Sequence, residues 1–145
     1  MKELHPTTRR RAAALLLCAC LSVTAFGCRR PHVEGTVSVE SILKKWDQGG
    51  FDTKAVVNIE GDLWSAGACS RGPVGGLDVL ICEYSSDEAA GVGEKKMLAD
   101  WDEEGIPTGA VTRNTKTVLA IADRNKADRS GRTIARLGKL FHTGN

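Results

Sequence analysis

The chain has 145 residues, 41% of them hydrophobic and 26% charged, with a formal net charge of +2. That length fits one domain and excludes a (β/α)₈ barrel or a doubly wound enzyme with a separate substrate domain. The apolar fraction excludes general disorder, and so small a charge, with no run of basic residues interleaved with aromatics, argues against a nucleic-acid partner.

Residues 1–11 hold Lys2, Arg9, Arg10 and Arg11 against the single acid Glu3, and residues 12–26 carry no charge. A basic start followed by a short apolar core predicts a secretory signal peptide over residues 1–27. The apolar run falls short of the roughly 20 residues that span a bilayer. It closes on Ala25-Phe26-Gly27-Cys28, which resembles the lipobox of bacterial lipoproteins. The resemblance implies cleavage after Gly27, a diacylglyceryl thioether on Cys28 and an anchor in the lipid bilayer. The usual pattern has Leu at the third position before the cysteine and a small residue at the second; Ala25 and Phe26 stand there.

Other readings stay open. Ala25-x-Gly27 fits an ordinary signal-peptidase site that would leave Cys28 a free thiol. Leu17-Cys18-Ala19-Cys20 is a second lipobox candidate with a shorter apolar run, and Arg9-Arg10 hints at twin-arginine export, against which the Leu-rich run argues. An anchor of two or three acyl chains holds firmly, because each buried methylene is worth about 0.8 kcal/mol. Arg29, where an Asp would oppose transfer, implies by the same resemblance passage to the outer membrane. Residues 28–37 then form the lipidated cysteine and a tether of about 30 Å, and residues 38–145 one domain in the periplasm or at the surface.

In that domain, Val39, Ile42, Leu43 and Trp46 share one helical face after a capping Ser38, predicting a helix over 38–48 that Gly49-Gly50 ends. Residues 51–66 are ambiguous: Lys54 to Ile59 reads as an edge strand, and Asp62-Leu63-Trp64 as a turn or short helical piece. Two β-like runs flank Gly75-Gly76, predicting a hairpin over 67–84. A two-residue turn there places residues whose numbers sum to 151 opposite each other. Cys69 and Cys82 then form a non-hydrogen-bonded pair about 4.5 Å apart, at disulfide distance. Pro73 requires a free far side of its strand. Leu77, Val79 and Ile81 face one way and Leu80, Cys82 and Tyr84 the other, as in a central strand.

A second helix starts at Ser85 with Ser85-x-x-Glu88 as its capping box, carries Ala90, Met97 and Trp101 on one face with Gly93 allowing close approach, and stops at Gly105 and Pro107. Ala110–Arg113 and Thr117–Ala122 predict a second hairpin around 114–116. A polar loop over 123–131 leads into a third helix from about Ser130 to Phe141, with Ile134, Leu137 and Phe141 inward. The order α-β-β-α-β-β-α predicts an α+β domain, an antiparallel sheet of about four strands covered by helices.

Candidate sites are few. In an oxidising compartment Cys69 and Cys82 are expected as a structural disulfide rather than a redox pair, since no C-x-x-C is present. Asp123, Asn125 and Asp128 carry part of a calcium-loop pattern, but Ala127 occupies a ligand position and Ile134 stands where the twelfth-position Glu belongs. The competing reading is that Asp128 or Ser130 caps the third helix and Gly131 eases the turn. Gly131…Gly138-Lys139 has the wrong spacing for a phosphate loop. The histidines beyond the leader are His32 in the tether and His142 at the tail, so a base beside a nucleophile is missing. Glu60, Asp62, Asp78 and Glu83 are carboxylates without a recognisable pairing. Asp100, Asp102, Glu103 and Glu104 sit at a helix C-terminus, against the dipole preference, a mild pointer to a partner or a cation.

Residues 66–141 resemble small bacterial lipoprotein domains of uncharacterised function. The likeness is carried by Cys-x-x-Gly…Gly-Leu-Asp-Val…Cys-Glu-Tyr and by Asp-Arg…Asp-x-x-Gly before the last helix, and it implies no catalytic residue and no cofactor. The reading is a lipid-tethered, non-enzymatic module that binds a protein or another component of the envelope. The rivals are a small hydrolase using carboxylates on the sheet and a calcium-binding module at 123–131. Residues 1–27 hold four basic residues and one acid, so 16 basic and 17 acidic residues remain after them, net −1. The odd cysteine count resolves likewise: Cys18 and Cys20 leave, Cys28 takes lipid, and Cys69 and Cys82 pair.

Overall fold

The computed structural model describes residues 37–106 and 108–143; the leader, Cys28 and the tether up to residue 36 lie outside the described residues. Three helices, α1 (Val39–Gln48), α2 (Asp87–Glu104) and α3 (Arg132–His142), accompany five strands. These are β1 (Val57–Ile59), β2 (Ala68–Val74), β3 (Leu77–Glu83), β4 (Gly109–Asn114) and β5 (Thr117–Ala122). They form one antiparallel sheet in the order β1-β2-β3-β5-β4. The α+β class and the element order match the sequence expectation, but the strands number five, not four. The extra one is β1, from the ambiguous stretch, followed by a 3₁₀ turn at Asp62–Trp64. Two of its three residues are exposed, so no alternation marks it.

The β2–β3 hairpin has the anticipated register, Val74 opposite Leu77 and Cys69 opposite Cys82. Gly75 and Gly76 both take positive φ, 60° and 82°, which only glycine adopts without strain and which matches the twist of the strands. β1 pairs with β2 only at Cys69–Arg71, so the ladder ends before Pro73, whose ring has no N–H to give it. The second hairpin turns on Thr115-Lys116 alone. Asn114, expected in the turn, belongs to β4 opposite Thr117, and its Nδ2 donates to the Phe141 carbonyl at 3.2 Å.

The sheet is covered on both faces. Val74, Leu77, Val79 and Ile81 join Leu119 and Ile121 against Ile42 and Trp46 of α1 and Leu137 and Phe141 of α3. Leu80, Cys82, Tyr84, Val118 and Ala120 meet Ala90 and Met97 of α2 on the other face. All six residues of β5 are consequently buried, as in a strand sandwiched between helix layers. Each large apolar side chain withdrawn here contributes about 1.5–3 kcal/mol. The Trp46 indole N–H donates to the Leu137 carbonyl at 3.2 Å, joining α1 to α3 inside the core. Val37, assigned to the tether, packs on this core, and its carbonyl accepts from Thr117 Oγ1.

Helix ends follow local chemistry with one correction. Ser38 caps α1 through its Oγ, which accepts from Ser41 N. α2 is capped by Ser86 rather than Ser85: Ser86 is extended and its Oγ accepts from Ala89 N. The helix cannot start earlier because Tyr84 N still donates to the Lys116 carbonyl at the sheet end. Glu88 therefore sits one place too early for a capping box; hydrogen bonds to its own backbone and to the Ser86 side chain hold its carboxyl below the ordinary value.

Candidate functional site: a disulfide-floored cleft

Alternation along β2 and β3 sends Cys69, Arg71 and Pro73 to the α2 face, opposite Cys82, Leu80 and Asp78. The Cys69–Cys82 disulfide is formed, with Cα atoms 4.1 Å apart, and both residues are fully buried beneath α2. It therefore fixes the register two pairs away from Arg71–Leu80, with Ser70–Ile81 between. At that pair Arg71 is exposed, while Leu80 is still buried in the core on the α2 face.

There a cleft of about 550 Å³ opens, within the size range of small-molecule sites. Arg71, Leu80, Asp78 and Ala122 line its sheet side, Leu63 and Trp64 come from the 3₁₀ turn, and Trp101, Glu103 and Glu104 come from the end of α2. Leu63 is 63% exposed at the rim. Trp101 lies over Gly109, where a side chain would collide with the ring: a Cβ would stand 2.8 Å from it. Charges of both signs meet here. Arg124 bridges Asp78 and Glu104, and Lys96 pairs with Asp100 at 3.2 Å. The acidic end of α2, noted from sequence as contrary to the helix dipole, thus faces a basic residue beyond β5. The sequence offered no route to this cleft, because Trp64 and Trp101 are far apart in the chain and neither falls in a motif.

The polar loop is organised by its own backbone. Asp123 accepts from the N–H groups of Ala127 and Asp128, at 2.8 and 2.9 Å. Asp128 Oδ2 accepts from Ile134 N at 2.9 Å, and its Oδ1 from Ser130 Oγ. The Ile134 bond, chiefly, holds the Asp128 carboxyl below its ordinary value. Asp128 thus supplies an N-terminal acceptor to α3, whose first residue follows Gly131 at φ 69°. Both carboxylates aim at these donors, and Asn125 is exposed. Among the described residues no group of three His, Cys, Asp or Glu side chains is placed to hold a metal ion.

The carboxylates proposed for hydrolysis are not brought together. Asp78 and Glu83 lie on opposite faces of β3, and Glu83 Oε1 accepts from Val39 N at the start of α1. Glu60 and Asp62 are exposed beside the 3₁₀ turn. His142 ends α3, one residue beyond the expected stop, with Nε2 2.9 Å from Thr112 Oγ1. Gly138, of the false phosphate loop, lies inside α3.

Among the described residues one buried side-chain group is unpartnered. The Tyr84 hydroxyl is enclosed under α2 without a hydrogen bond, and burial pushes its pKa up to about 12. Gly93 makes the enclosure possible, since a Cβ there would stand 2.0 Å from the hydroxyl oxygen. No helix among the described residues is long and apolar enough to cross a membrane. Comparisons with protein-family models, curated proteins and solved structures give no match.

Proposed function

We propose that the chain is an exported, lipid-anchored binding module of the bacterial cell envelope. The buried Cys69–Cys82 disulfide carries this reading, because such bonds persist in oxidising compartments and are rare where thiols are kept reduced. The basic, then uncharged leader ending on Cys28 supports export and acylation, and accounts for the one cysteine left over from the pair. The domain is held within about 30 Å of the bilayer by its tether. Its cleft supplies the binding surface, with an apolar aromatic lining and oriented charges in place of a paired acid and base.

Growth of an expressing bacterium with radiolabelled palmitate tests the anchor. The wild-type chain takes up label and partitions with membranes, and Cys28→Ser does neither. An unlabelled wild-type chain, or label retained in Cys28→Ser, overturns it.

A further inference from the structure

We propose that the free edge of β4 is where a second copy of this chain docks, its β4 pairing antiparallel with the first about a two-fold axis at Val111. This goes beyond the reading of the domain as an anchored module and stands without it. β1 and β4 are the two edges of the sheet. β1 is blunted: it has three residues, and its ladder with β2 stops before Pro73. β4 has six residues, no proline or lysine, and an unbroken register with β5, so it lacks the usual protections of an exposed edge. Its charged side chain, Arg113, turns back to Glu94 and to the Thr115 carbonyl of its own chain.

The β4–β5 ladder decides which backbone groups are free. Asn114 and Thr117 flank the turn, and beyond the other end Asp123 N donates to the Thr108 carbonyl at 2.9 Å. Bonded and non-bonded pairs alternate, so the bonded pairs between these limits are Ala110–Ile121 and Thr112–Leu119. The N–H and C=O groups of Gly109, Val111 and Arg113 therefore point out from the sheet edge, and none has a partner among the described residues. In a second copy turned about Val111, residues whose numbers sum to 222, twice 111, stand opposite each other. Val111 then meets its own mate and Gly109 meets Arg113, so every outward group is bonded, about two bonds per pair. A slip of two residues sets Arg113 opposite Pro107, which has no N–H, or Gly109 opposite Thr115 in the turn.

An apolar contact accompanies the bonds. Glu94 reaches Arg113, and Trp101 lies over Gly109. The α2 stripe Glu94, Leu98 and Trp101, at i, i+4 and i+7, therefore runs along β4. Leu98, between those two contacts, is 45% exposed, and the axis brings it toward Leu98 of the second copy. A foreign strand would meet the backbone groups but not this contact. An axis normal to the sheet also keeps α1 and α3 of both copies on one side. Val37 packs on that side, so both chains enter their domains from it, as two anchors in one bilayer require.

The test uses the full-length chain in detergent micelles, carrying either Ala110→Cys or Thr112→Cys. The register sets Ala110 of one copy opposite Thr112 of the other as a non-bonded pair about 4.5 Å apart, the arrangement of Cys69 and Cys82 within the chain. Like residues stand diagonally, about 7–8 Å apart, beyond disulfide reach. Under mild oxidation a mixture of the two variants gives a covalent dimer on non-reducing electrophoresis, and either variant alone gives about tenfold less. Leu98→Glu, a change on the surface of α2, sets like charges together at the axis and lowers the mixed yield about tenfold. Val111→Pro removes an outward N–H that β5 does not use and has the same effect; circular dichroism checks its fold, and Leu98→Glu decides the matter if it unfolds. A mixture that cross-links no better than either variant alone overturns the proposal. So does a mixed yield untouched by Leu98→Glu or by a folded Val111→Pro. The other cysteines are common to all variants, so a free thiol at Cys28 raises every yield alike, and palmitate labelling reads the anchor separately.

Discussion

The disulfide is the feature on which most of the domain's stability can be put to a number. It closes a sequence separation of 13 residues. Chain-entropy arithmetic for such a loop gives about 3 kcal/mol of stabilisation at 25 °C. The described domain has roughly 100 residues, so its unfolding entropy is about 0.2 kcal/mol per kelvin. Cys69→Ala combined with Cys82→Ala should therefore lower the melting temperature by roughly 13 °C. Both cysteines are fully buried, so dithiothreitol should act on native protein only through opening of the β2–β3 hairpin and α2. Melting followed by circular dichroism, with a thiol titration before and after denaturation, measures both effects. A double variant melting within about 3 °C of wild type would show that the loop is already restricted in the unfolded chain. Cys69 and Cys82 reacting as free thiols in the denatured, unreduced mature protein would remove the bond altogether and with it the argument for export.

Two further outcomes follow from single groups. Tyr84→Phe removes a buried hydroxyl with no partner and should raise stability by about 1 kcal/mol, seen as a higher urea midpoint at neutral pH. The folded-state pKa of Tyr84 is raised from 10.0 to about 12, so its contribution is intact below pH 10 and is lost as the pH rises toward the folded value. The wild type should thus lose stability between those values by up to about 1.4 kcal/mol per pH unit, and Tyr84→Phe should lack that component; a destabilised Phe variant would reveal a hidden partner. Asp128→Asn weakens the acceptor at the start of α3 and should lower the melting temperature at pH 7. Because the folded pKa of Asp128 is depressed below 3.8, its contribution is present above that value and disappears as the pH falls through the folded one. The gap between variant and wild type should close over that acid range; a gap that persists there would assign the effect to something other than charge.

Much of the fold could be read locally. The Gly75-Gly76 turn allowed one register, so the Cys69–Cys82 pair followed from counting outward. α1 and α3 carry single apolar stripes that point to a core whatever lies beneath them. β1 carries no such stripe: Lys54 to Ile59 reads only ambiguously as an edge strand, its side chains are mostly exposed, and it pairs with β2 only up to Arg71, before Pro73. The cap of α2 moved to Ser86 because the sheet still holds Tyr84, a constraint that two adjacent serines cannot reveal. The sequence leaves Asp128 or Ser130 as the acceptor at the start of α3; Asp128 takes the bond from Ile134 N, six residues on, where Gly131 turns the chain back at positive φ.

The candidate cleft was less legible. Its acids were visible as a cluster at odds with the helix dipole, without any indication of what they faced. The sequence by itself determined how the first hairpin pairs, and with it the Cys69–Cys82 bond, because that depends on neighbours a few residues apart. Only the tertiary structure decided that α2 covers one face of the sheet while α1 and α3 cover the other. It also decided that a cleft opens between the end of α2 and the part of that face carrying Arg71 and Asp78. Where it opens depends on where a helix lies across strands distant in sequence, and that is set by packing such as Gly93 against Tyr84 and Trp101 over Gly109.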